Sequence, residues 1–191
     1  MVWRRIARAL RDGPATERAT LVSEETVQAL TRNLDAAAQR RLGRSLSIRH
    51  VDCGSCNGCE LEIHALNNIV YDLERFGLRF VASPRHADVL LVTGPLTRNL
   101  REALLRTWEA TPDPKWVVAM GDCAVDGGVF KGSYAIEGGI NEAVPVDLVI
   151  PGCPPTPTQI LAGLRALLEA SARADATQSP ARPSRGARGA G

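Results

Sequence analysis

Asp88-Val-Leu-Leu-Val-Thr93 sets four aliphatic residues in a row between two polar ones. A strand with one wet face would alternate apolar and polar, so an unbroken run this short marks a strand covered on both faces, as parallel sheets require. Lys115–Met120, KWVVAM, reads the same way, and Leu46–Val51, Leu78–Ala82 and Val146–Ile150 add three further strands. Helical periodicity fills the spaces between them. Leu61 to Phe76 places Leu66, Ile69, Val70 and Leu73 on one side, with Gly77 as its stop. Arg98–Thr111 turns Leu100, Ala103, Leu104 and Trp108 inward. The last helix begins at Thr156-Pro-Thr-Gln159, where Thr at the N-cap, Pro at the first helical position and Gln at the third form a capping box. Ile160, Leu161, Leu164 and Leu168 follow on its buried face. Strand and helix in alternation predict an α/β fold with a doubly wound parallel sheet.

In such sheets ligands sit beyond the carboxyl ends of the strands, and the five cysteines fall there. Cys53, Cys56 and Cys59 follow the first strand in the run VDCGSCNGCE, Val51 to Glu60. Cys123 follows KWVVAM through Gly121-Asp122, and Cys153 follows DLVI through Pro151-Gly152. The first run holds two overlapping C-x2-C pairs that share Cys56, and spacing alone does not choose between them. One pair plus Cys123 and Cys153 makes four thiolates, which suit either Zn²⁺ or an iron–sulfur cluster. Structural zinc usually takes two C-x2-C knuckles, whereas here the later cysteines are isolated, each in a Gly-containing turn. Bare turn backbone can point N–H groups at sulfides, which favours a [4Fe–4S] cluster over zinc. A redox-active C-x2-C disulfide leaves Cys123 and Cys153 without a purpose.

Composition narrows the remaining classes. A chain of 191 residues that is 45% hydrophobic can bury a substantial core. No run approaches the 18 apolar residues of a membrane span, and the N-terminus lacks the apolar stretch of a secretory signal, so a cytoplasmic location is expected. There an odd set of five cysteines points to metal or redox use, not to a disulfide framework. The net charge of +2 hides an uneven layout. Residues 1–50 carry ten Arg against five acids, residues 51–170 carry nine basic against fifteen acidic residues, and residues 171–191 carry four Arg against one Asp. The basic arms lack interleaved aromatics and the body is acidic, so nucleic acid is not an expected partner.

Residues 1–45 read as a helical docking extension. Trp3, Ile6 and Leu10 share one face of a short basic amphipathic helix over residues 2–11, which Gly13-Pro14 stops. A second helix starts at Ser23 with Glu24 and Glu25, uses Val27, Leu30, Leu34 and Ala38, and ends at Gly43. Residues 46–170 form the cluster-binding α/β domain. Residues 171–191 lose periodicity and are expected to be a disordered basic tail.

The runs CGSCNGCELEI, SPRHADVLLVTGPLTRN, PDPKWVVAMGDCA and VPVDLVIPGCPPTP together resemble one family. They are similar to the small iron–sulfur subunit of membrane-bound energy-converting [NiFe] hydrogenases of the formate hydrogenlyase type, a family related to the B subunit of respiratory complex I. The resemblance covers residues 46–168. It implies a flavodoxin-like fold with one [4Fe–4S] cluster held by Cys56, Cys59, Cys123 and Cys153. Complex I B subunits have adjacent cysteines at the first position; here Gly58 precedes Cys59 and Cys56 supplies the other thiol, which favours the hydrogenase branch. Cys53 is left as a buried thiol at a strand end.

By the same resemblance the expected function is electron transfer. The cluster would lie proximal to the active site of a separate [NiFe]-type large subunit and relay electrons between it and ferredoxin-like subunits. Integral membrane subunits would hold the complex at the inner face of the cell membrane, with this chain peripheral. The chain itself has no catalytic residue and binds no small-molecule substrate alone. A B-type subunit of a complex I-like oxidoreductase without [NiFe] is the alternative, and a zinc-stabilised flavodoxin-like binding module is the third. Around the site, Glu60 and Glu62 stabilise a helix N-terminus or relay protons, His64 is a partner-facing or redox-coupled histidine, and Asp122 bonds backbone in its own turn. Gly94, Gly121 and Gly152 allow close backbone approach.

Overall fold

The computed structural model describes residues 46–76 and 78–178, with a few isolated positions before residue 46. The docking extension of residues 1–45, Gly77 and residues 179–191 lie outside the described residues as continuous structure. Five parallel strands make the main sheet: β1 (Ser47–Asp52), β2 (Arg79–Phe80), β3 (Val89–Thr93), β5 (Trp116–Met120) and β7 (Leu148–Ile150). Their spatial order is β2-β1-β3-β5-β7. Chain order therefore reverses between β1 and β3, the switch-point layout of a flavodoxin-like sheet. A separate antiparallel pair joins β4 (Leu96–Thr97) to β6 (Ile136–Gly138).

The apolar run that predicted a doubly covered strand behaves as one. Val89 and Leu91 enter one hydrophobic core, with Ile48, Val118 and Met120, while Leu90 and Val92 enter the other, with Val117 and Ala119. Helix α1 (Gly58–Leu66) and helix α4 (Pro157–Gln178) close the first core through Ile63, Leu66, Ile160, Leu161, Leu164 and Leu168. Helix α2 (Arg101–Ala110) closes the second through Leu104. All four residues from Val89 to Val92 are fully buried, each such side chain being worth about 1.5–3 kcal/mol. Two aspartates at strand starts fix register. Asp88 Oδ2 accepts from the Ser47 backbone N–H at 2.9 Å, and Asp147 Oδ2 accepts from Val117 N–H at 2.7 Å.

Three sequence expectations need correction. The helix expected over Leu61–Phe76 ends at Leu66, and a 3₁₀ turn occupies Leu73–Phe76. Asn68 Oδ1 accepts from Val70 N–H at 2.8 Å and Tyr71 N–H at 3.1 Å, an Asx turn that outcompetes the helix. Ile69 and Val70, expected inside, are therefore 95% and 55% exposed. Helix α2 is shorter than Arg98–Thr111, and Ala103 faces solvent. Helix α4 continues through Gln178, beyond Ala170 where apolar periodicity ends. Its start is as expected: Thr156 N–H donates to Gln159 Oε1 at 2.8 Å, and Gln159 N–H to Thr156 Oγ1 at 3.4 Å.

Candidate metal centre

Three loops leave the carboxyl ends of β1, β5 and β7, and each is turned by its own sequence. After β1, Asp52 Oδ1 accepts from both Gly54 and Ser55 N–H at 2.8 Å, folding the chain back at once. Asn57, at φ 71°, then leads into α1 at Gly58, so Cys56 lies just before the helix and Cys59 in its first turn. The neighbouring strand end must pass close to this loop. A Cβ on Gly94 would stand 2.6 Å from Ser55 N, so only glycine fits there. After β5, Gly121 (φ 88°, ψ 154°) reverses direction into the short helix α3 (Asp122–Asp126), which carries Cys123. The β7 loop is tied to it twice. Asp122 N–H donates to Gly152 O at 2.9 Å, and Gly152 N–H donates to Asp122 Oδ1 at 2.8 Å. Asp122 thus bonds backbone as expected, but across to the loop that bears Cys153.

These turns bring the four expected cysteines to one place. Cys56, Cys59, Cys123 and Cys153 line a cavity of about 80 Å³, together with Gly58, Gly94, Gly152 and Pro154. Cys56 and Cys153 are exposed, whereas Cys59 and Cys123 are half-buried. Cys53 is not among the lining residues; it is fully buried in the second core with Leu90, Val92, Leu96 and Leu104. A larger cleft of about 330 Å³ opens beside α3 and β6, but no cysteine lines it. Lys131 and Asp126 pair across its rim at 2.8 Å.

The electrostatics of this hollow disfavour the thiolate form of its cysteines. Burial pushes Cys59 up to about 12, and the charges of Glu60, Cys123, Cys56 and Cys153 add to the rise. Burial also raises Cys123, against a backbone N–H from Val129 that favours its thiolate, and Cys153, Cys56 and Asp122 raise it further. The thiols therefore feel one another's charge, and four thiolates together require strong positive charge between them. Among the described residues no group of three or more His, Cys, Asp or Glu side chains is placed to hold a metal ion as it stands. What the loops present is a hollow with sulfur on its walls. That donor set fits a polynuclear iron–sulfur group, in which each thiolate meets its own iron. Glycine keeps the walls clear: a Cβ at Gly121 would lie 2.7 Å from Cys59 Sγ, and one at Gly128 would lie 2.9 Å from Cys123 Sγ.

Glu60 does not sit in solvent at the helix start; it is 8% exposed and accepts a hydrogen bond from the Thr93 hydroxyl. His64 is exposed, one turn further along α1. Sequence reasoning passed over Thr93 and His50, whose Nε2 lies 2.9 Å from Thr93 Oγ1. The available signal was a polar residue closing an apolar run at the carboxyl end of a strand. The Val129 N–H carried no side-chain signal.

The pattern of the family described as NADH ubiquinone oxidoreductase, 20 Kd subunit, matches residues 56–167. Formate hydrogenlyase subunit 7 of Escherichia coli (strain K12) is 47% identical over 138 residues, which is 72% of this chain and 54% of that protein. The chain thus spans about half the length of that relative, 54%. A probable membrane-bound hydrogenase subunit of Pyrococcus furiosus is 48% identical over 132 residues, covering 69% of this chain and 79% of its own. A chain in the structure of the membrane-bound sulfane sulfur reductase, an archaeal respiratory membrane complex, matches with a TM-score of 0.62 at 34% identity. That match covers 74% of this chain and 77% of the other.

Proposed function

This chain belongs to the family of the complex I 20 kDa subunit and the [NiFe] hydrogenase small subunit, and from that premise we propose that it is the electron-transfer subunit of a membrane-bound hydrogenase of the formate hydrogenlyase type. It is a subunit of an oxidoreductase complex by family. The finer reading assigns one [4Fe–4S] cluster to Cys56, Cys59, Cys123 and Cys153, proximal to the active site of a [NiFe]-type large subunit. The observation that carries it is the meeting of these four thiols, from three separate strand ends, around one cavity. When bound, such a cluster would supply a one-electron relay between a ferredoxin-like subunit and the large subunit.

The chain's own residues do the holding. Asp52 folds the first loop over the site, and Asp122 locks the Cys123 and Cys153 loops together. Val129 N–H supports the Cys123 thiolate. Exposed Cys56 and Cys153, with exposed Leu61 and Val129 nearby in the chain, leave the site open on one side. Such a surface suits burial under another subunit, which would exclude water and bring a second redox centre within reach. Among the described residues no helix is long and apolar enough to cross a membrane. In this reading integral membrane partners supply the attachment.

A second reading keeps the cluster and changes the assembly. The likeness to a chain of the sulfane sulfur reductase supports a complex without hydrogenase chemistry. The C-x2-C at Cys56 and Cys59 favours the first reading over a complex I-like subunit. The large subunit's sequence separates them, by presence or absence of two C-x2-C pairs for a [NiFe] centre. For the cluster itself, anaerobic reconstitution of the full chain should give about four iron and four sulfide per chain. A colourless protein holding zinc would overturn the reading.

A further inference from the structure

Behind Cys59, three polar side chains form a line that the relay does not require. Thr93 closes β3 and is fully buried. Its hydroxyl donates to Glu60 Oε1. A hydroxyl has one hydrogen, so the contact of 2.9 Å with His50 must be His50 Nε2–H donating to Thr93 Oγ1. Burial lowers the His50 pKa, which favours a neutral ring. Glu60 Oε1 also lies 3.5 Å from His50 Nε2. The other carboxylate oxygen, Oε2, is buried and has no hydrogen-bond partner among protein atoms. An acid in a first helical turn is normally free to reach water; here it is pinned to the end of the central strand instead. Leaving a buried carboxylate oxygen unpaired costs stability, so the arrangement calls for a return elsewhere. Glu60 directly follows Cys59 in the first turn of α1.

We propose that Thr93 and His50 are positioning residues that hold the Glu60 carboxylate behind Cys59, so that its fixed charge lowers the reduction potential of the cluster bound there. The inference rests on the cluster reading above. Adding an electron makes the cluster more negative, and a nearby anion in a partly buried site opposes that step. Thr93 supplies the donor that fixes where the anion sits, and His50 fixes the orientation of the Thr93 hydroxyl.

The test is a redox titration of the reconstituted full chain, followed by electron paramagnetic resonance, with iron content measured alongside. Glu60→Gln should raise the midpoint by a tenfold change in the reduction equilibrium, about 59 mV for one electron. Thr93→Val, which keeps the shape and loses the hydroxyl, should raise it in the same direction with iron content unchanged. Thr93→Ser should restore the wild-type midpoint. In the Glu60→Gln background, Thr93→Val should add nothing further, because its effect passes through Glu60. An unchanged midpoint in Glu60→Gln would overturn the proposal without any Thr93 variant. An equal Thr93→Val shift with and without Glu60 would overturn it too. A wild-type chain that takes up no cluster would instead overturn the reading on which this rests.

Discussion

Gly121→Ala separates the site's geometry from ordinary backbone strain. Gly121 sits at φ 88° and ψ 154°, a region open essentially to glycine, so any side chain there costs on the order of 1–3 kcal/mol. The added Cβ would also stand 2.7 Å from Cys59 Sγ and 3.4 Å from Gly152 O. In the cluster-free protein the Cys59 thiol can rotate away, so the cost is mostly the backbone term. A thiolate bound to iron has no such freedom, and the same methyl must then push against the cluster. Gly132 provides the comparison: it has φ 84°, but nothing lies within 4 Å of an added Cβ. Denaturant unfolding of the cluster-free proteins should show both alanine variants destabilised, by about 1–3 kcal/mol. After anaerobic reconstitution, Gly132→Ala should hold iron like the wild type, while Gly121→Ala should retain a small fraction of it. Equal iron in the two variants would refute the argument that Cys59 faces the cluster across Gly121.

Asp122→Ala should loosen the Cys153 loop, with faster iron loss to a chelator and a stability cost of about 1–3 kcal/mol, while Asp122→Asn keeps the acceptor and should behave nearly as wild type. Thr156→Ala removes the cap of α4 and should lower stability by about 0.5–2 kcal/mol in denaturant without altering the midpoint potential of the cluster. Burial holds Cys53 at about 12 against an ordinary value of 9.0. The folded chain thus keeps a proton that the unfolded chain releases. Stability of the cluster-free protein should be full below pH 9 and fall as pH rises toward 12, by as much as about 4 kcal/mol for this one thiol. Cys53→Ala should flatten that fall in a pH series of unfolding curves.

The sheet was legible because its central strands are covered on both faces. DVLLVT and KWVVAM leave no polar register to confuse with a surface strand, and their cysteines follow at the ends where open α/β sheets bind ligands. The capping box at Thr156 was legible because its chemistry is local. The failures came where local polar bonds beat apolar periodicity. Leu66, Ile69, Val70 and Leu73 fit a helical face, yet Asn68 diverts the backbone and leaves Ile69 and Val70 in solvent. The β4–β6 pair was invisible because two- and three-residue strands carry too little pattern. At the site, spacing could not choose between the two overlapping C-x2-C pairs. The fold separates them by burial: Cys53 points into the second core, and Cys56 lines the cavity. The Glu60–Thr93–His50 line joins residues of β1, β3 and α1 that only the sheet's register brings together.

The most direct test compares Cys53→Ser with Cys56→Ser after anaerobic reconstitution, by iron and sulfide content and by electron paramagnetic resonance of the reduced proteins. Cys53→Ser should lose some stability, since a hydroxyl replaces a thiol in an apolar core, but keep about four iron per chain and the wild-type signal. Cys56→Ser should lose the intact cluster. Retention by Cys56→Ser with loss by Cys53→Ser would contradict the assignment of the site.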